Sequence, residues 1–591
     1  MAKPIALAFK GAQSNFHPPL VPLVVAVTGH RDLHADDLPA LAAAVSAQLR
    51  RLSARHPNSP CLLLSALAEG ADRLVARCAV DAGWSLGVVL PLAQADYEAD
   101  FRDGQSVAEF RQLLASAAWC RDLSAPAVGR PACYSVLGDW LAGQSQVLIA
   151  LWDGGPGNGP GGTADVVRRF REGAAIMTQP VLPDTGPVIH VHTRRIGAAP
   201  AASGSASAVA SAAELGNVDY LAPRPAGMPG DGEQVRWTAV LDRIDQFNQH
   251  LRQANASGRL TVDAEGAASL PAPEGLVLTT KTSVAGRARA LFGAADAMSM
   301  QAQRERSLMF KALLALGAAT LVLAQTYAGL FTLPGLLCGA LGLSAIGIVW
   351  YRVAARRHVE QRYLDYRGLA EACKVQYFWR LAGVADNVAD HYLREQHDEL
   401  EWIRQAVKTT ALGMTSAIDL PLAQRLQWVR DAWIDDQHRY FCGDGGQWAG
   451  KAAQNRRQHE TWSRRSRGLA AAGALLTIAA ALFHLFVADL TISSHDWTLR
   501  GLMVGYSLVF GAAGLCKVYQ QTSAFSEHAR QYQRMGLALQ IARAQLDAAL
   551  AAGQLDQAAA VIKAAGIEAL AENGDWLLLH RDRPVSAQGF G

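Results

Sequence analysis

The feature that most limits how this chain can fold is a pair of long apolar runs. From Leu308 to Trp350 it reads LMFKALLALGAATLVLAQTYAGLFTLPGLLCGALGLSAIGIVW, with Lys311 its only charge. At 1.5 Å of rise per residue, a helix needs about 20 apolar residues to cross a bilayer. The run therefore holds two crossings, broken at Phe331-Thr332-Leu333-Pro334. The pattern recurs: Gly468–Leu490 is apolar, Thr491–Thr498 is a short polar loop, and Leu499–Cys516 is apolar again. Helices buried in a soluble core usually show a polar edge, and the inner crossings show almost none. The sequence thus predicts four membrane helices, about 308–328, 334–352, 468–490 and 499–518, and a lipid bilayer as partner.

The charges beside these runs predict their orientation. Arg304, Arg306 and Lys311 precede the first crossing, and Arg352, Arg356 and Arg357 follow the second. Arg464, Arg465 and Arg467 precede the third, and Lys517 follows the fourth. Both hairpin tips lack Lys and Arg, apart from Arg500 at the start of the fourth. By the positive-inside rule both tips face outward, and the N-terminus, the middle segment and the C-terminus are expected in the cytoplasm. Gly335-x-x-x-Gly339 would let the second crossing pack closely on a neighbour.

At 591 residues the chain has room for several domains. A net charge of +3 gives no global case for nucleic-acid binding, so none is expected. The eight cysteines form no C-x-x-C pair, consistent with reduced thiols. The opening MAKPIALAFKGAQSNFHPP has neither a long apolar core nor a cleavage site, so the first hairpin is expected to act as its own targeting signal.

Residues 1–196 read as an α/β domain. Leu23–Val27, Cys61–Leu64, Leu86–Leu90, Val147–Trp152 and Pro187–His192 are apolar throughout, and helical spacing separates them, as over Leu38–Leu52 and Arg73–Ala82. Such strands predict a doubly wound, Rossmann-like parallel sheet. Ligands bind such sheets beyond the carboxyl ends of the strands. Three turns there draw notice: Thr28-Gly29-His30-Arg31, Ala68-Glu69-Gly70-Ala71-Asp72, and the glycine run through Gly161, Gly162, Thr163 and Asp165. The last two open helices, whose free amides and dipole favour an anion. No P-loop, metal cluster or Ser-His-Asp arrangement is evident, so no catalytic or metal-ligating set is expected.

The same turns carry a resemblance. Val27-Thr28-Gly29-His30-Arg31, Ser65-x-Leu67-Ala68-Glu69-Gly70-Ala71-Asp72 and Gly161-Gly162-Thr163 resemble the SLOG superfamily, which unites the DprA/SMF proteins with the LOG phosphoribohydrolases. The resemblance implies a nucleotide or nucleotide-derived ligand contacting Thr28, Gly29, His30, Arg31, Ala68, Glu69, Gly70, Asp72, Gly161, Gly162, Thr163 and Asp165. LOG enzymes place a glutamate three residues after the threonine, whereas here Asp165 stands two after Thr163. A carboxylate displaced by one helical position points about 100° away. That departure speaks against N-glycosidic hydrolysis while leaving ligand binding intact.

Residues 197–280 read as a linker rich in Ala, Gly and Ser with an accessory helix over Glu233–Ala254, whose Trp237, Val240, Leu241, Ile244, Phe247 and Leu251 share a face. Two helical modules follow, 281–420 and 421–550, each with a hairpin and charged amphipathic flanks. Val353–Lys408 reads as nearly unbroken helix carrying Tyr363, Tyr366, Tyr377, Phe378, Trp379, Tyr392 and Trp402 as subunit or helix–helix contact residues. This ground plan resembles the SLATT group of two-span modules. In the tail, 551–591, Glu572-Asn573-Gly574-Asp575 followed by Trp576–His580 predicts a turn and a short strand.

Together these features suggest a homo-oligomeric sensor or effector of the bacterial inner membrane. Its cytosolic domain would bind a nucleotide-type signal, and the resemblance implies permeabilisation of the membrane in antiphage defence. A membrane-tethered phosphoribohydrolase and a ligand-free scaffold are the alternatives.

Overall fold

The computed structural model describes residues 19–124, 129–156, 159–173, 185–194, 215–223, 233–258, 270–276, 278, 283–392, 397–413, 418–446, 448–486 and 497–581. Two compact units emerge. One comprises Met1–Ala294, Ala372–Arg380 and Asp386–Asp419; the other Ala295–Glu371, Leu381–Ala385 and Leu420–Gly591. The module anticipated over 281–420 is therefore divided between them.

Among the described residues the first unit is built on seven strands: β1 Leu23–Gly29, β2 Cys61–Ser65, β3 Ser85–Leu90, β4 Trp119–Asp122, β5 Val147–Trp152, β6 Val188–His192 and β7 Val218–Leu221. Their order is β4-β3-β2-β1-β5-β6-β7, parallel except for β7, which pairs antiparallel with β6. The chain leaves β1 to build β2 on one side and later adds β5 on the other. This reversal is the switch point at which open α/β sheets bind ligands.

Helices α1 Leu38–Arg55, α2 Ala71–Asp81, α3 Gln94–Glu98, α4 Gly104–Ser116, α5 Arg130–Gln144 and α6 Thr163–Glu172 connect the strands. Apolar residues fill both faces of the sheet. Val25, Leu63, Val88 and Ile149 form one core with α1 and α2; Val24, Leu64, Val89 and Leu148 form the other with α5 and α6. Each such aliphatic side chain contributes about 1.5–3 kcal/mol when fully buried. Helix α7, Glu233–Ala256, buries the predicted face, Trp237 through Leu251. Its Asn248 bonds both backbone groups of Val21, at 2.9 and 2.8 Å, and its Asp245 accepts from Asn58 and Ser59.

Helix α8 runs unbroken over Val284–Gly329, and α9 covers Pro334–Arg356. The expected continuous helix over Val353–Lys408 is broken instead. It stops at Arg356, resumes as α10 (Val359–Leu381), ends before Gly383 (φ +81°), and returns as α11 (His397–Thr409). Glycine at positive φ is a frequent helix terminator.

In the second unit α12 Leu422–Val429, a π-helical turn Arg430–Asp435 and α13 Asp436–Cys442 lead to α14 Gly450–Phe486, α15 Trp497–Thr522, α16 Phe525–Ala551 and α17 Leu555–Arg581. Helices α8, α9, α14 and α15 carry the four apolar stretches, long and apolar enough to cross a membrane. At most 11% of each apolar window is buried within the chain, as lipid-facing helices require. The second span of each hairpin ends at a non-glycine left-handed residue, His358 (φ +48°) after α9 and Ala524 (φ +47°) after α15. The two modules therefore repeat even in a backbone detail.

Two sequence expectations change here. The close approach belongs to Gly329 and Gly511: a Cβ on Gly329 would lie 2.2 Å from Val504, and one on Gly511 2.1 Å from Leu321. By contrast Gly335 meets nothing within 4 Å, and Gly339 only Leu323 at 3.3 Å. Over Leu555–Arg581 the tail is a helix, not a turn and strand. Ile562, Leu570, Asn573, Trp576, Leu577 and His580 recur at helical spacing and are buried. Gln531 of α16 donates to the Glu572 carbonyl, and the His528 and His580 rings stack 5.0 Å apart. Tertiary packing has overridden the Asn-Gly turn signal.

Candidate functional site

The carboxyl edge of the sheet is assembled from interlocking turns. Gly29 ends β1, and a Cβ there would sit 2.4 Å from the Ala71 Cβ and 2.7 Å from the Leu151 carbonyl. The lack of a side chain lets α2 start directly against β1. The Ala71 amide donates to the His30 carbonyl at 3.0 Å, and the His30 amide to the Leu151 carbonyl at 3.1 Å. Gly70 has φ +77°, and a Cβ on it would lie 2.3 Å from the Arg31 carbonyl. Thr28–Arg31 and Ala68–Asp72 are thus one structure.

The third turn joins them through Tyr134 on α5. Gly161 (φ +77°) packs against the Tyr134 and Ser135 backbone, where a Cβ would fall 2.8 Å from the Tyr134 carbonyl carbon. The Arg31 guanidinium lies over the Tyr134 ring, 5.4 Å from its centroid. The Tyr134 hydroxyl donates to Asp100 at 2.9 Å, and Arg130 pairs with Asp100 at 2.5 Å. Nothing in the spacing of the chain marks Tyr134, because only the fold brings α5 beneath the glycine turn.

The polar groups divide into committed and available ones. Asp165 accepts from the Gly161 amide at 2.9 Å and pairs with Arg168 and Arg169, each at 2.7 Å. Its carboxyl is held below the usual range; burial opposes this, but the Gly161 amide and the two arginines prevail. The Gly162 amide donates to the Gly159 carbonyl at 3.3 Å. The Gly161 and Gly162 amides, expected to cradle an anion, are therefore spent inside their own turn, which Asp165 ties to the first turn of α6. Of the remaining residues there, Thr163 is the first of α6.

Glu69 turns toward α4, accepting from the Arg102 amide at 3.0 Å and from the Ser106 hydroxyl. Burial would raise its pKa, but Ser106 and Arg102 outweigh it and hold the carboxyl low. His30 Nε2 stands 3.2 Å from both the backbone amide and a carboxylate oxygen of Asp153, beyond the end of β5.

Asp72 is different. It is 6% exposed at the start of α2, and burial pushes its carboxyl up to about 7, against the Ala68 amide and the nearby Arg31. The turn before it is strained: Leu67, fully buried, has φ +55°, and its amide donates to the Ser65 hydroxyl at 3.0 Å. Strain at a non-glycine residue is stored preferentially at functional sites. Sequence reading could not register it, because leucine gives no sign of a left-handed backbone.

Two other groupings escaped the sequence. On β6 and β7 the fold brings together His190, His192 and Asp219, where no metal-ligating set was expected. Their signal was the His-x-His spacing, but the partner carboxylate is revealed only by strand pairing. Burial lowers the His190 pKa, favouring the neutral ring. In the second unit an open polar cavity of about 370 Å³ is lined by His459, Lys517, Gln520, Gln521, Ser526 and Glu527. His484, an ionisable residue of the third span, is exposed near the end of α14.

No protein-family model matches this chain, and no curated protein is significantly similar to it.

Proposed function

We propose that this protein is a membrane-anchored receptor whose α/β unit binds a small anionic ligand of the nucleotide type at the sheet's switch point. The observation that carries this reading is the convergence on Tyr134. Arg31 lies over its ring and the Gly161 turn packs on its backbone, with the buried Asp72 near Arg31, where a doubly wound sheet offers its crevice. Arg31 supplies the charge, and the Tyr134 ring offers a face for a base. The amides of Gly161 and Gly162 are excluded as direct phosphate ligands by their internal bonds. The likeness of the turns to the SLOG superfamily supports the same ligand class.

The signal passes to the membrane segments. Helix α8 is one uninterrupted helix, with residues through Ala294 in the first unit and the rest in the second. A ligand shifts such a system only by its difference in affinity for two arrangements, and a few kcal/mol suffice. The output we favour is a change in membrane permeability by an assembly of several copies, with antiphage defence as its setting. The hydrolase alternative is weakened because both Asp165 oxygens are engaged.

The test uses the full-length chain in lipid nanodiscs, titrated with a panel of nucleotides and cyclic dinucleotides. Binding is expected for wild type and lost in Arg31→Glu, with circular dichroism to verify that the variant stays folded. In proteoliposomes the same ligand should dissipate an imposed potential. Equal binding by Arg31→Glu would move the site elsewhere, and release of a free base from a nucleoside monophosphate would establish the enzyme instead.

A further inference from the structure

The edge of the sheet farthest from β4 carries a second assembly. His190 and His192 alternate along β6 and so project from the same face. Asp219 stands directly opposite His190 on the antiparallel β7. The two imidazole centroids are 4.1 Å apart with planes inclined at 37°. His192 Nε2 lies 2.7 Å from a carboxylate oxygen of Asp219. One donor atom from each of the three side chains can be chosen so that all lie within 4.8 Å of one another.

The surroundings orient these groups. His190 is 4% exposed, with the Trp152 ring 5.4 Å away. Its Nε2 is 3.0 Å from the Trp152 carbonyl. A carbonyl only accepts, so Nε2 carries the hydrogen and a neutral ring keeps its lone pair on Nδ1. A backbone carbonyl gripping the far nitrogen is how ligating histidines are commonly fixed. An ordinary cross-strand hydrogen bond would need His192 and Asp219 alone. It would not account for a second, buried imidazole leaning onto the first.

We infer that His190, His192 and Asp219 form a binding site for a borderline divalent transition ion of the Zn²⁺ class. Two imidazoles and a carboxylate are the donor set such ions favour. Tetrahedral bonds of about 2.0–2.1 Å place donors about 3.4 Å apart, so the side chains close in by a modest rotation. Three protein donors leave a coordination position for water. The ion would tie β7, the last strand, to β6, and this assignment stands independently of the ligand proposed at Tyr134.

The test uses tag-free full-length protein in detergent, stripped with a chelator and dialysed against Zn²⁺, with Co²⁺ as a spectroscopic probe. Wild type is expected to take up one equivalent more than His192→Ala and to show visible Co²⁺ bands that the variant lacks. Asp219→Asn keeps a hydrogen-bonding partner for His192 and sits at a largely exposed position, so it reports on ligation rather than folding. It should weaken binding about tenfold or more. Equal uptake and affinity in wild type and both variants would overturn the site, as would no uptake by wild type.

Discussion

At Asp72 the fold holds a carboxyl group largely withdrawn from water, and stability bears the consequence. Its pKa rises from 3.8 to about 7 on folding, chiefly through burial. Below pH 4 both folded and unfolded chains hold the proton, and there is no penalty. As pH climbs from about 4 to 7 the unfolded chain releases it first, so the folded state loses stability, by about 4 kcal/mol at most. Asp72→Asn should therefore be more stable than wild type at pH 8 and much closer to it at pH 5, measured by thermal unfolding in detergent. A parallel pH dependence in both proteins would refute the shift. The glycines also separate by role. Gly70→Ala or Gly161→Ala forces a Cβ into backbone at 2.3 or 2.8 Å and a left-handed φ, costing about 2 kcal/mol or more. Gly162→Ala meets only the Gly159 carbonyl at 3.3 Å and should cost under about 1 kcal/mol. The turns at Gly29, Gly70 and Gly161 were legible because glycine announces them. Their commitment to packing was not, since the partners, Ala71, the Arg31 carbonyl and Tyr134, come from distant parts of the chain.

Elements were legible where one physical signal dominated. The central strands β1, β2, β3 and β5 are apolar on both faces, which marks a buried parallel sheet. The strands at the two edges, Trp119–Asp122 and Val218–Leu221, mix polar and apolar residues and gave no such pattern. The aromatic residues Tyr377, Trp379 and Trp402, read as contact residues, are consumed inside the chain, none more than 1% exposed. Apolar residues remain exposed on the spans instead, such as Leu341, Ile346, Leu475 and Leu482. At the tail, helix α17 makes its own prediction. Gly574→Pro would remove a helix hydrogen bond and cost about 3 kcal/mol. Amides 574–580 should be protected from hydrogen exchange in wild type and lose protection in the variant. Wild-type exchange as fast as in a loop would contradict the helix.

On the scale of the whole molecule, the arginines beside the spans set a direction. Thr332→Cys, at the exposed tip between α8 and α9, should react with an impermeant reagent added outside intact cells, and Gly445→Cys should not. Labelling of position 445 would reverse the orientation. Packing between the two hairpins follows Gly329 and Gly511, so Gly511→Leu should loosen α8 from α15, lowering the unfolding temperature without changing the helix content. Both hairpins end at matching left-handed residues, His358 and Ala524. A protein with one such hairpin must find a second copy by diffusion in the bilayer, and dilution works against it. Here the second copy is on the same chain, and the encounter is unimolecular, at a local concentration set by the connecting helices. The packing of α8 on α15 should therefore persist however sparse the protein is in its membrane.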